Sequence, residues 1–143
     1  MALQNNFKPK LIDPKHLKVG RFKTPIGEYE EVKFGGKNTS GITPIGDRVL
    51  VKPDSCPQYS DGGIEFTEQQ RERITEAAES GVLVAAGDAA WFWNSDRSRP
   101  YTGSKPQVGQ RVWFERYTGS KQYGRDGELY RIMDDKCIGA LAE

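Results

Sequence analysis

An all-β fold, a small irregular barrel, is what this chain of 143 residues predicts. Three observations carry that expectation. Short segments alternate apolar and polar residues with a period of two. Glycine-rich turns divide them, the chain holding 16 glycines. No helical pattern repeats along the sequence, so short strands and tight turns are the organising theme. The length suits one domain of about 100–150 residues with an appendage.

The appendage is residues 1–41, an N-terminal arm. Pro9, Pro14, Pro25, Gly27, Gly35-Gly36 and Gly41 interrupt it too often for a long helix. Its short apolar pieces, among them Phe22, Tyr29, Val32 and Phe34, are expected to dock on a surface without making a core, with one short strand over Glu30 to Phe34. Eight Lys/Arg stand against four Asp/Glu there, net +4, whereas the rest of the chain has 13 against 16, net −3. A weakly basic arm on a weakly acidic body is ordinarily a solvated terminus.

The barrel is expected over 42–143. Arg48 to Lys52 reads as a strand with Val49 and Val51 on one face and Leu50 on the other. Residues 54–80 form a long loop. Its first part, with Pro57, Ser60 and Asp61, approaches Gly62-Gly63 and the tripeptide Ile64-Glu65-Phe66. Thr67 to Ser80 has capping-box spacing at Thr67/Gln70, and Ile74, Ala77 and Ala78 share one helical face. Yet Glu68/Glu72 and Glu72/Glu76 repel at i,i+4. About 13 residues without tertiary support make a marginal helix that flickers until a partner orders it. Val82 to Ala86, Gln110 to Tyr117 and Glu128 to Met133 are the remaining strands. Val112 and Phe114 oppose Trp113 in one, and Tyr130 and Ile132 oppose Leu129 and Met133 in another.

Composition excludes several classes. A net charge of +1 supplies no bulk field for nucleic acid or membranes. No apolar run approaches the ~18 residues of a membrane span. The first residues lack the hydrophobic stretch of a secretory signal, so a cytoplasmic location is expected. Cys56 and Cys137 read as free thiols, Cys137 in an apolar context. The single histidine, His16, lies in the arm, and no Cys/His spacing suits zinc. Gly35-Gly36-Lys37-Asn38 fails the phosphate-loop pattern. No catalytic residue, metal or cofactor is expected.

Five blocks in order resemble the small co-chaperonin family, GroES or ten-kilodalton chaperonin, the ring that lids the GroEL-type chaperonin. They are Pro44-Ile45-Gly46-Asp47-Arg48-Val49, the Gly62 to Phe66 loop, Gly81-Val82-Leu83-Val84, Val108-Gly109-Gln110-Arg111-Val112, and Ile132-Met133 through Ile138-Gly139-Ala140. The resemblance covers residues 43–143; the arm and the altered tripeptide resemble the divergence of virus-encoded relatives. It implies a GroES-like irregular β-barrel with a mobile loop about 54–80 and a roof hairpin about 88–107. It further implies a non-enzymatic subunit, seven copies to a ring, whose loop binds a GroEL-type chaperonin through Gly62, Gly63, Ile64, Glu65 and Phe66. ATP is used by that partner, and the chamber encloses an unfolded client protein.

In the family the tripeptide is fully apolar; here Glu65 stands in the middle, and in an extended chain it faces away from Ile64 and Phe66. Tyr117 is the implied cavity-lining residue, with Trp91 and Trp93 assigned there from the roof. Ile45, Val49, Val51, Ile138 and Leu141 are the implied subunit interface, where Ile42 to Val51 pairs with a neighbour's Cys137 to Leu141. A different reading, a β-barrel module for single-stranded nucleic acid, rests on Trp91-Phe92-Trp93 with Arg97, Arg99 and Lys105. Aromatic packing of the hairpin onto the barrel or a neighbour is the plainer account of the same residues.

Overall fold

The computed structural model describes residues 20–91 and 105–142. His16, Phe92, Trp93, Arg97, Arg99 and most of the expected roof hairpin lie outside the described residues. Six strands form one antiparallel sheet: β3 (Arg48–Pro53), β4 (Ser80–Ala86), β5 (Arg111–Phe114), β6 (Ser120–Tyr123), β7 (Leu129–Asp134) and β8 (Ile138–Leu141), in the order β6-β7-β3-β4-β5-β8. Strand β3 lies between its partners, Leu50 opposite Ala85 on β4 and Ile132 on β7. Both faces of this centre are buried, and Val49 and Val51 lie on the side opposite Leu50, as the alternation anticipated. Val49, Val51, Leu83, Val112, Phe114 and Met133 fill one side. Leu50, Val84 and Tyr130 fill the other. Strand β4 can approach β3 so closely because Gly81 has no side chain; a Cβ there would lie 2.4 Å from the Lys52 carbonyl oxygen.

The all-β barrel is not what forms. Among the described residues β6 pairs only with β7 and β8 only with β5, so the sheet stays open and uncurled, with two free edges. The fold also contains a helix, α1 (Glu68–Glu76). Period-two patterning specifies strands, but closure depends on whether the end strands meet. Neither the alternation nor the turn glycines encode that.

Helix α1 has the support that its own sequence lacks. The capping box forms, the Gln70 N–H donating to Thr67 Oγ1 at 3.1 Å and the Thr67 N–H to Gln70 Oε1 at 2.9 Å. Ile74 is buried with Tyr29, Cys56 and Ala78 in a further cluster, against which Phe22 and Phe66 pack. The Tyr29 hydroxyl donates to the Ile74 carbonyl at 2.7 Å. At the C-terminal end the buried Arg131 guanidinium donates to the carbonyls of Thr75, Glu76 and Ala78 and lies over the Phe114 ring at 5.3 Å. Thr75 and Glu76 lie in the helix's last turn, where the macrodipole favours a cation, and Ala78 just beyond it. Burial pushes the Arg131 pKa below its ordinary value.

The arm departs from expectation too. Its strands are β1 (Arg21–Lys23) and β2 (Glu28–Glu30), not Glu30 to Phe34, paired in a hairpin with Phe22 opposite Tyr29. Thr24 makes the turn by accepting the Ile26 and Gly27 N–H groups at Oγ1. The Phe22 and Tyr29 rings stack at 5.4 Å. Tyr29 is only 2% exposed, so this segment contributes to a core rather than merely resting on one. Beyond the hairpin, Phe34 and Ile42 cover the Leu50 face of the sheet.

Candidate functional site

The polar segment after β3 folds back on itself. Tyr59 and Glu65 form an antiparallel bridge, and the Phe66 N–H donates to the Gln58 carbonyl at 3.0 Å. Closer to the tip, the Ser60 N–H donates to the Ile64 carbonyl at 2.7 Å and the Gly63 N–H to the Ser60 carbonyl at 2.9 Å. The Ser60 hydroxyl oxygen accepts the Ile64 N–H at 3.0 Å. Gly63 takes φ +86°, a conformation that side-chain-bearing residues resist. The glycine pair therefore turns the chain, and the tripeptide leaves the turn as the returning strand of a small hairpin.

The three residues of that tripeptide meet different surroundings. Ile64 is 73% exposed and belongs to none of the buried clusters of the described residues. Glu65 is exposed, with the Gln58 amide 3.4 Å from its carboxylate. Phe66 is half-buried and packs on the Tyr29–Cys56–Ile74 cluster. Sequence reasoning paired Ile64 and Phe66 as twin exposed anchors; in the fold Ile64 presents itself and Phe66 ties the loop to the body.

The β1–β2 hairpin flanks this loop. Arg21 Nη2 donates to the Tyr59 carbonyl at 2.7 Å, and Glu28 Oε1 accepts the Asp61 N–H at 2.9 Å. Lys23 Nζ lies 3.7 Å from the Asp61 carboxylate. Arg21 and Glu28 also face each other at 3.6 Å. Sequence reasoning did not assign these arm residues to the site. Their only local signal is the Arg-Phe-Lys … Glu-Tyr-Glu symmetry around a Thr-Pro-Ile-Gly turn.

Beneath the loop, Asp54 is fully buried and accepts from Ser80 Oγ at 2.5 Å, from the Val32 N–H at 3.0 Å, and from both Nη atoms of Arg111 at 3.0 and 2.6 Å. Burial works against the Arg111 charge, but the bonds it donates to Asp54 and the charge of that carboxylate outweigh it and raise the pKa above its ordinary value. This network joins the arm, β3, β4 and β5. Burial pushes the Cys56 thiol up as well, so it is held as an unreactive thiol.

The other named residues are scattered. Trp91 packs partly buried against the Val49 cluster with φ +68°, its N–H donating to Asp135 Oδ2 at 2.8 Å. Packing on the body, the plainer account, describes Trp91; Trp93 lies outside the described residues. Tyr117 is exposed at φ +62° beside a pocket of about 250 Å³ that Arg131 and Lys121 also line. Val49 and Val51 are fully buried between β4 and β7 and offer no surface to a neighbour. Ile45 is exposed, and Ile138 and Leu141 are half-buried on the edge strand β8. Beside them Trp113 is 45% exposed over a pocket of about 340 Å³ near Cys137 and Gly139.

The chaperonin 10 Kd subunit family model matches residues 41–142. The co-chaperonin GroES of Staphylococcus aureus strain JH9 is 30% identical over 102 residues, covering 71% of this chain and 99% of that protein. The same protein from strain Newman aligns with the same identity and coverage.

Proposed function

This chain belongs to the chaperonin 10 Kd subunit family, and from that premise we propose that it caps a GroEL-type chaperonin through the 58–66 loop to enclose a folding chamber. The family is cytoplasmic and non-catalytic, and this member is a chaperone subunit rather than an enzyme. Its partner is a GroEL-type ring and its working form an oligomeric ring; seven copies are the proposed number.

One observation carries the loop reading: Ile64 stands 73% exposed at the end of a polar hairpin, directly after the glycine pair. Burying an isoleucine gains roughly 1.5–3 kcal/mol. Gly62 and Gly63 let the tip enter a groove, Ile64 fills it, and Glu65 stays in water or meets a cation. Phe66 anchors the loop's base. A single contact of this size is weak, and a ring of such loops overcomes that by multivalency, since the first loop to bind raises the local concentration of the rest. Tyr117 would face the chamber; Ile45, Ile138 and Leu141 would lie at the subunit seam, where a neighbour covers an open sheet edge.

The test is ATP-dependent co-sedimentation with a double-ring chaperonin, together with refolding of a denatured client. Wild type binds and supports refolding, and Ile64→Ser does neither. Equal capping by the variant would end this reading.

A further inference from the structure

Polar loops that display a hydrophobic residue are ordinarily loose, and this one is gripped from the side. Residues 20–31 lie outside the 41–142 family match, yet they supply a closed hairpin in which the Glu31 N–H donates to the Gly20 carbonyl at 2.7 Å. That hairpin is itself anchored to the body. Glu30 and Ser55 exchange backbone hydrogen bonds at 2.7 and 3.2 Å, and the Val32 N–H reaches the buried Asp54 carboxylate. Tyr29 bonds the end of α1. From this base three charged side chains reach across. Arg21 takes the Tyr59 carbonyl, Glu28 takes the Asp61 N–H, and Lys23 faces the Asp61 carboxylate. Phe66 closes the other flank on the cluster that contains Phe22 and Tyr29.

We propose that the β1–β2 hairpin is a positioning element for the loop: Arg21, Lys23 and Glu28 hold residues 58–66 in the hairpin that presents Ile64, so the chaperonin meets a preformed ligand. This rests on the capping reading above. Preorganisation strengthens binding by removing ordering cost, without adding any contact to the partner. The three residues act through the loop and need touch nothing on the chaperonin. One ion pair, Lys23 with Asp61, also crosses the arm–loop seam, while Arg21 and Glu28 pair within the hairpin and each reach a backbone group of the loop.

The test uses the full chain carrying Arg21→Ala, Lys23→Ala and Glu28→Ala together, which leaves the stacked Phe22–Tyr29 pair untouched. Hydrogen exchange of the free protein is read at the Gly63, Ile64 and Phe66 amides, which are bonded within the loop itself. Their acceleration therefore reports loop order rather than a deleted acceptor. The expected result is about tenfold faster exchange there, unchanged exchange in β3 and β4, and at least tenfold weaker binding to a GroEL-type chaperonin with ATP. Glu28→Ala alone moves both readouts in the same direction should the triple variant fold poorly. Swapping the charges, Lys23→Asp with Asp61→Lys, restores part of the loss caused by Lys23→Asp.

Unchanged loop exchange overturns the proposal, and so does faster exchange with equal or tighter binding, which would make the hairpin a brake. If wild type fails to bind at all, the capping reading falls together with the binding consequence, and the exchange difference alone decides whether the hairpin orders the loop.

Discussion

Replacing Ile64 with serine separates a binding residue from a structural one. In the free chain Ile64 is 73% exposed, so about a quarter of its surface is shielded by the fold. Complete burial of an isoleucine is worth roughly 1.5–3 kcal/mol, so the part still available to a partner is about 1–2 kcal/mol per loop. At 1.4 kcal/mol per tenfold, each loop loses roughly fivefold to thirtyfold in affinity. The fold itself loses well under 1 kcal/mol, as substitutions at exposed sites do. Two measurements on one preparation decide the matter. Thermal unfolding should be superimposable with wild type, and titration against a chaperonin with ATP should show the loss, enlarged in the ring because several loops weaken together. A clear fall in melting temperature would mean that Ile64 is buried in the working protein. Undiminished binding would mean that the anchor lies elsewhere. Either result refutes the argument.

Phe66→Ser behaves differently: it removes a side chain packed on the Tyr29 cluster, so it lowers stability by about 1–3 kcal/mol and speeds amide exchange across 58–66 as well as weakening capping. Asp54→Ala leaves Arg111 facing a vacated, buried position and costs roughly 3–5 kcal/mol in urea unfolding. Arg131→Ala strips the donors from the end of α1, lowering stability by roughly 1.5–3 kcal/mol and reducing the helical circular dichroism. Burial raises Tyr29 and Tyr130 to about 12, so their stabilisation is intact below pH 10 and is lost as pH rises towards 12. Unfolding titrations paired with tyrosinate absorbance should show that window. The hydrogen bond from Tyr130, opposed by burial and aided by Thr39, holds the Asp126 carboxyl down at about 2. Its contribution is present above pH 3.8 and disappears as pH falls through 2; Tyr130→Phe should move that carboxyl upward by NMR titration.

Strand identity was legible because it is a local property. Alternation placed Val49 and Val51 opposite Leu50, and Val112 and Phe114 opposite Trp113; in the fold the two valines and Leu50 lie in separate buried clusters, and Val112 and Phe114 are buried while Trp113 is exposed. The Thr67/Gln70 capping box was readable for the same reason. The glycine pair before Ile64 marked the turn, since only a backbone without Cβ takes Gly63's φ comfortably. Phe66 was not separable from Ile64 by such reasoning. In an extended chain they share a side, and only the cluster around Tyr29 determines which of them is covered.

The chain's own order of residues thus determined the central strands β3, β4, β5 and β7 and where the loop turns. Tertiary structure decided the rest. The sheet remains open, because pairing of β6 with β8 is a question of distant edges meeting and not of any residue's preference. Helix α1 persists because Tyr29, 45 positions before Ile74, and Arg131, 55 positions after Glu76, bond carbonyls of its last turn. The arm becomes part of the site because its hairpin brings Arg21, Lys23 and Glu28 to Tyr59 and Asp61. Contacts of that range depend on the whole chain's path, which periodicity within a dozen residues does not record.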